Sequence, residues 1–247
     1  MLTYITMLMA ETFPSLSPAS VLCVVAHADD IEAFMGGTVA RWASEGAKVH
    51  YLVLTDGHRG TPAVTDGEGA DVRNAEQRKA AEILGASTVT FAGFPDCELA
   101  LTAEVKREIV RAIRTHKPEV VMSIDPSMVY SAKWGIINHI DHRIAGEAVL
   151  TAVYPLACNE ASFPELRAEG LATHKVATVL LVHSDIQNFY IDISDHMERK
   201  LSAMRAHTSQ QKALEPVFAI VQSSAEQMGA HVGARYAEGF VRIDIRI

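Results

Sequence analysis

"VVAHADDIEAFMGG", residues 24–37, joins the end of an apolar run to the start of a helical pattern, with a histidine and two adjacent acids at the junction. The run starts three residues earlier. "VLCVVA" (21–26) is short and continuously apolar, as a strand covered on both faces must be. "IEAFMGGTVARWASEG" then carries apolar residues at helical spacing and stops at Gly46. A buried strand running straight into a helix is the first half of a βαβ unit.

The same alternation continues outward. "KVHYLVLT" (48–55) reads as a second strand, followed by a glycine-rich polar stretch from Asp56 to about Gly69. "DVRNAEQRKAAEILG" (71–85) is a helix closed by a C′ glycine, Gly85. "TVTFAGF" (88–94) is strand three, and "AEVKREIVRAIRTHK" (103–117) is an amphipathic helix ended by Pro118. "EVVMSID" (119–125) is strand four. "MVYSAKWGIINHI" reads as a loop entering the helix "DHRIAGEAVLTAV". "KVATVLLVHS" (175–184), "FYIDIS" (189–194) and "YAEGFVRIDI" (236–245) are further strands, and "DHMERKLSAMRAH" (195–207) is a helix. No element is assigned between 208 and 235. The expected fold is α/β, a three-layer αβα Rossmann-like arrangement on a mainly parallel sheet. It forms one domain over residues 20–247. Residues 1–19 read either as an arm that packs on a neighbouring subunit or as a loose lead-in.

The chain has 247 residues, 49% hydrophobic and 21% charged, enough to bury a substantial core. A net charge of −8 disfavours nucleic acid or an anionic membrane as main partner. Cys23, Cys97 and Cys158 form no CxxC pair, which suits a reducing cytoplasm and makes Cys23 a small core residue. The apolar N-terminal stretch lacks the basic start of a signal peptide, and no apolar run reaches membrane-spanning length.

Chemistry concentrates at two junctions. At the first, His27, Asp29 and Asp30 have a plain structural account: either acid can cap the helix, which is worth roughly 0.5–2 kcal/mol. "NHIDH" adds a second cluster, with His139 and His142 three residues apart on one helical face. In a parallel sheet the loops after strands one and four can lie side by side, and His27, Asp30 and His142 then converge. Two imidazoles and a carboxylate make a catalytic zinc shell with a position open for water. Asp29, not spent on the metal, is then a general base, and His139 stabilises an oxyanion or protonates a leaving group.

Taken in order, "AHADD" and "HIDH" resemble the A-H-P-D-D and H-x-D-H pattern of the PIG-L/LmbE-type de-N-acetylase family. Its members include N-acetylglucosaminyl-phosphatidylinositol, mycothiol-precursor and bacillithiol-precursor deacetylases. "RNAEQRKAAEILGA" resembles the family's Arg-x-x-Glu helix, "FPDCEL" its Pro-Asp loop, and "HTSQ" (207–210) a late His-x-Ser-Gln signature. The resemblance implies a zinc-dependent hydrolase, with Fe²⁺ or another divalent metal as alternatives. Its action would be removal of an N-acetyl group from an amino sugar such as an N-acetylglucosamine derivative. It assigns the metal to His27, Asp30 and His142, the base to Asp29, and oxyanion and amine assistance to His139, tuned by Asp141. It places Arg73 and Asp96 against the sugar and implies a homo-oligomer, a trimer or hexamer. There are departures: Ala28 replaces the usual proline, and Ile31 stands where a glutamate often follows. His58, with Arg59 next to it, replaces the acid of a T-x-G-E motif near the substrate. A less acidic mouth keeps a second reading open, an amidohydrolase for another N-acyl, non-GlcNAc substrate. Trp134 and Tyr130 are candidates for a sugar-binding rim or for packing the loop down. A nucleotide-binding module without metal chemistry is disfavoured, since no G-x-G-x-x-G or P-loop follows the first strand.

Overall fold

The computed structural model describes residues 15–60, 68–132 and 135–246. β1 (Ser20–Val25) lies near the middle of a seven-stranded sheet, and its alternation builds both layers of the core. Val21, Cys23 and Val25 face one cluster with Ile31, Met35 and Trp42 of α1 (Asp30–Ser44). Leu22, Val24 and Ala26 face the other, with Val105, Ile109 and Ile113 of a helix on the opposite side. Every residue of β1 after Ser20 is buried, which is why the run is apolar without a break.

β2 (Lys48–Thr55) pairs with β1 in parallel, Val21 opposite Val49, and β3 (Thr88–Phe94) adds outside β2. α2 (Glu68–Leu84) connects them, and α3 (Ala103–His116) crosses back beneath the sheet. β4 (Val120–Ile124) then pairs with β1 on its other side, Leu22 opposite Val121. The sheet order is β3-β2-β1-β4-β7-β9-β8. Growth reverses between β1 and β4, and such a reversal opens a crevice at the carboxyl ends of the two strands. The loops that follow these strands carry the two histidine clusters.

β5 (Tyr130–Ser131) and β6 (Ile136–Ile137) form a short antiparallel hairpin in the segment read from sequence as a loop. Two residues per strand are too few to print an alternating pattern. α4 (Ile140–Thr151) follows, then the short α5 (Pro164–Ala168), β7 (Thr178–Val182), β8 (Phe189–Asp192) and α6 (Met197–Arg205). α7 (Gln211–Gly229) is a helix that the sequence reading did not assign. Leu214, Ala225 and Gly229 are buried and Val217, Phe218 and Val221 pack half-buried on the core, a stripe at helical spacing that Pro216 interrupts near its start. β9 (Ala237–Asp244) runs antiparallel to both β7 and β8.

Of the expected N-terminal arm, residues 1–14 lie outside the described residues, as does Trp134. Ala19 is tied to the sheet, its N–H donating to Glu119 Oε2 at 3.0 Å and its carbonyl accepting from Lys48. Cys23 is fully buried, as expected of a core residue. Among the described residues no helix is long and apolar enough to cross a membrane.

Candidate active site and metal centre

Asp29 occupies the N-cap position of α1, but its side chain caps nothing. Its φ of 96° is left-handed, a conformation that strains a non-glycine residue. The helix-capping account of the two acids therefore fails for Asp29. Asp30 is spent otherwise, its Oδ2 accepting the His27 backbone N–H at 2.8 Å.

Three side-chain donors converge in the crevice. His27 Nδ1 lies 3.2 Å from His142 Nε2 and 3.7 Å from Asp30 Oδ2. His142 Nε2 lies 3.1 Å from Asp30 Oδ1. Ligands about 2.0–2.1 Å from a tetrahedral ion stand about 3.3 Å apart, so the triangle has the right size for one cation.

The far-side partners fix which atoms face inward. Asn138 donates its Nδ2 to Met128 O at 2.8 Å, which aims its Oδ1 at His142 Nδ1, 3.1 Å away. That oxygen can only accept, so Nδ1 carries the proton and Nε2 offers a lone pair. His27 Nε2 faces Asp96 Oδ1 at 3.2 Å and Asp141 Oδ2 at 3.3 Å, both acceptors, so its Nδ1 is the inward lone pair. Two lone pairs 3.2 Å apart repel unless a positive charge sits between them. The residues thus fit a divalent cation. Burial opposes protonation of His27, but the hydrogen bonds to Asp141, Asp30 and Asp96 outweigh it and push the ring up to about 12, so these carboxylates draw positive charge to this point, either as a proton on Nδ1 or as a cation that displaces it.

A second grouping, His27, Asp96, His139 and Asp141, also clusters tightly. Its carboxylates are already engaged. Asp141 is wholly buried and accepts from Cys97 N at 2.7 Å and Leu99 N at 3.2 Å. Asp96 Oδ2 accepts from Arg59 N at 3.1 Å. Both carboxylates orient His27 from behind.

His139 is the N-cap of α4, and its Nδ1 accepts the Asp141 N–H at 3.2 Å. Its proton is therefore on Nε2, which points toward Cys97 Sγ, 3.6 Å away. Burial and the His27 charge lower its pKa and keep the ring neutral. The Asp141 carboxylate, expected to tune His139, is 3.9 Å from that ring and closer to His27. Burial raises Asp29 and the Arg73 charge opposes it, leaving the carboxyl at about 6.

Arg73 is only 4% exposed, and its guanidinium donates to Ala28 O and, at 3.3 Å, to Asp29 Oδ2. Asp96 is equally buried. His58 is exposed and bonded to Asp56 at 2.8 Å. Four residues with no role assigned from sequence also belong to the site: Glu32, Gln77, Asn138 and Cys97. Asn138 adjoins the quoted histidines, and Gln77 lies one helical turn from Arg73; spacing alone gave them no chemistry.

The PIG-L family, described as GlcNAc-PI de-N-acetylase, matches residues 22–153, a span that holds all three convergent donors. The chain belongs to the PIG-L family. This PIG-L chain is 38% identical over 226 residues to diacetylchitobiose deacetylase of Thermococcus kodakarensis, covering 89% of this chain and 81% of that protein. It is 29% identical to a 1D-myo-inositol 2-acetamido-2-deoxy-alpha-D-glucopyranoside deacetylase of Actinosynnema mirum, with coverage of 78% and 81%. Its fold matches the N,N'-diacetylchitobiose deacetylase of Pyrococcus horikoshii, solved with an inhibitor, at a TM-score of 0.82 and 29% identity. That match covers 92% of this chain and 84% of the other.

Proposed function

We propose that this PIG-L protein is a metal-dependent N-deacetylase that hydrolyses the acetamide of an N-acetylglucosamine-type sugar. The observation that carries the reading is the pair of inward lone pairs, His27 Nδ1 and His142 Nε2, 3.2 Å apart beside Asp30. The activities of the relatives support the sugar.

His27, Asp30 and His142 would hold the cation, and this nitrogen and oxygen set suits Zn²⁺, with Fe²⁺ as an alternative. The cation supplies Lewis acidity, making water acidic enough to ionise near neutral pH and polarising an amide carbonyl. The Asp29 carboxylate is held by Arg73 rather than by the helix end, and its pKa of about 6 suits a base working near neutrality. Water adds to the carbonyl carbon while its proton passes to Asp29. His139 offers its Nε2–H to the oxygen on which negative charge develops. The C–N bond then breaks with its electrons going to nitrogen, and Asp29 returns the proton there, giving acetate and a free amine. Arg73 and Asp96 act through Asp29 and His27, since both are buried. His58, exposed, is offered to the sugar.

Self-association as a trimer or hexamer belongs to the same proposal, supported by the exposed Tyr130 and Ile137 of the β5–β6 hairpin. Light scattering tests it.

Acetate release from N,N'-diacetylchitobiose, with metal content measured in parallel, tests the chemistry. Asp29→Asn should keep its metal and lose about 10²–10⁴ in rate. His142→Ala should lose the metal. A fully active Asp29→Asn, or metal held undiminished by His142→Ala, would falsify the assignment.

A further inference from the structure

Behind Asp29 runs a buried polar chain that the mechanism does not use. The Asp29 backbone N–H donates to Gln77 Oε1 at 3.0 Å. Gln77 Nε2 donates to Glu32 Oε1 at 2.9 Å. Glu32 Oε2 lies 3.3 Å from His207 Nε2. Glu32, Gln77 and His207 are all completely buried.

The direction of each bond follows from the one before. A carboxylate only accepts, so His207 and Gln77 must both donate to Glu32. The Gln77 amide thereby has its nitrogen committed and its oxygen turned toward Asp29. That oxygen takes the N–H of a residue held at φ 96°. His207 is fixed in turn by its own segment. Thr208 and Ser209 are tied to Glu76 through three bonds of 2.6–2.7 Å, and Gln210 Nε2 donates to Gly60 O at 2.9 Å. Arg73 and Gln77 lie one turn apart on α2. One holds the carboxylate of Asp29, the other its backbone.

We propose that Gln77, set by Glu32 and His207, is a positioning residue for Asp29, holding the left-handed turn that keeps the carboxylate off the helix end and free for the reaction. The inference rests on the reading of Asp29 as the base. It explains why a helix of α2 and a segment after α6, far apart in sequence, carry polar residues wholly inside the protein. Without the Gln77 oxygen the N–H of Asp29 has no acceptor, and the residue relaxes toward an ordinary N-cap with its side chain folded onto the helix.

Exchanging the two side chains tests this. Gln77→Glu alone removes the donor to Glu32 and sets two carboxylates face to face, and their repulsion drives the introduced oxygen away from the Asp29 N–H. The double variant Glu32→Gln, Gln77→Glu restores every bond with its direction. His207 donates to the amide oxygen introduced by Glu32→Gln, and the amide nitrogen of that side chain donates to the carboxylate introduced by Gln77→Glu. The same carboxylate accepts the Asp29 N–H. With kcat, KM and metal content measured on the metal-loaded enzyme, Gln77→Glu should lose about 10²-fold in kcat, as a displacement near 1 Å can cause. KM should stay within about twofold and metal content should be unchanged, because the interaction lost serves the reacting group alone. The double variant should recover to within about fivefold of the parent. Parent-like kcat in Gln77→Glu, or a double variant no better than the single one, overturns the proposal. Should Gln77→Glu fail to fold, Gln77→Met takes its place in the same comparison. Asp29→Asn run alongside separates the two readings. If it is inactive while Gln77→Glu is normal, only the positioning role falls; if it is fully active, the base assignment falls and this proposal with it.

Discussion

Gly146 lies on α4 one turn beyond His142, on the same face of the helix. A Cβ at this position would sit 2.1 Å from Ile124 O, at the end of β4, and 2.9 Å from Pro126 Cδ. Backbone blocks it, so no side chain can yield. Moving from 2.1 Å to the 3.4 Å where ordinary contact begins is a retreat of α4 by about 1.3 Å. Carried to His142, it stretches the 3.1 Å separation of Nε2 from Asp30 Oδ1 to roughly 4.4 Å. Two ligands each about 2.0–2.1 Å from one ion cannot stand more than about 4.2 Å apart, so the triangle no longer closes. Gly146→Ala should therefore lose metal and about 10² in kcat/KM, besides roughly 1–3 kcal/mol of stability from overpacking. Gly229→Ala is the control. Its Cβ would meet Ala234 O at 2.5 Å, a comparable collision on α7, which carries none of the proposed ligands. Denaturant unfolding, metal analysis and acetate release on both variants settle the matter. Both should be destabilised, and Gly146→Ala alone should lose metal. Parent-level metal and activity in Gly146→Ala, or equal metal loss in Gly229→Ala, would refute the reasoning.

Asn138→Leu removes the acceptor that fixes the tautomer of His142, and a metal titration should show affinity weaker by about 10–100-fold. Burial holds the Asp29 carboxyl up at about 6 and the Arg73 charge is the main opposing influence, so Arg73→Gln should raise it further. The acid limb of the kcat/KM profile should then move to higher pH; a shift to lower pH would contradict the assignment. His50 is buried and stacked on His116, ring centroids 3.8 Å apart. Burial, then the His116 and Lys48 charges, depress His50 from 6.5 to about 4. The native state resists its protonation, so stability is present above pH 6.5 and lost as pH falls toward 4. His50→Gln should remove up to about 3 kcal/mol of that acid loss in denaturant titrations at the two pH values; an unchanged loss rejects the linkage.

The strands and helices that frame the crevice were legible because each prints a period. β2 and β3 fall on the residues expected, and α3 within one residue, since buried strands read as unbroken apolar runs and α3 as a regular stripe. α7 was not legible because Pro216, a residue that usually ends a helix, breaks into its apolar stripe, and the β5–β6 hairpin because it is too short. His27, Asp30 and His142 were legible as a set because unusual residue types stand at two strand ends. Asn138, Glu32 and Gln77 were not, since an asparagine just before a helix, or a glutamate or glutamine on one, has the same local appearance whether it faces water or a buried polar partner.

The sequence by itself determined the alternation of strands and helices, the continuous apolar β1 and the placing of ionisable residues just past β1 and β4. These are local properties, written in period and residue type. Only the tertiary structure decided that growth of the sheet reverses between β1 and β4, which brings residues 27 and 142 within 3.2 Å. It alone turned Arg73 inward onto Asp29 and set Gln77, Glu32 and His207 in one line behind it. The physical reason is that a hydrogen bond's direction and a ring's protonated nitrogen are fixed by the partner on the far side, and that partner comes from a distant part of the chain.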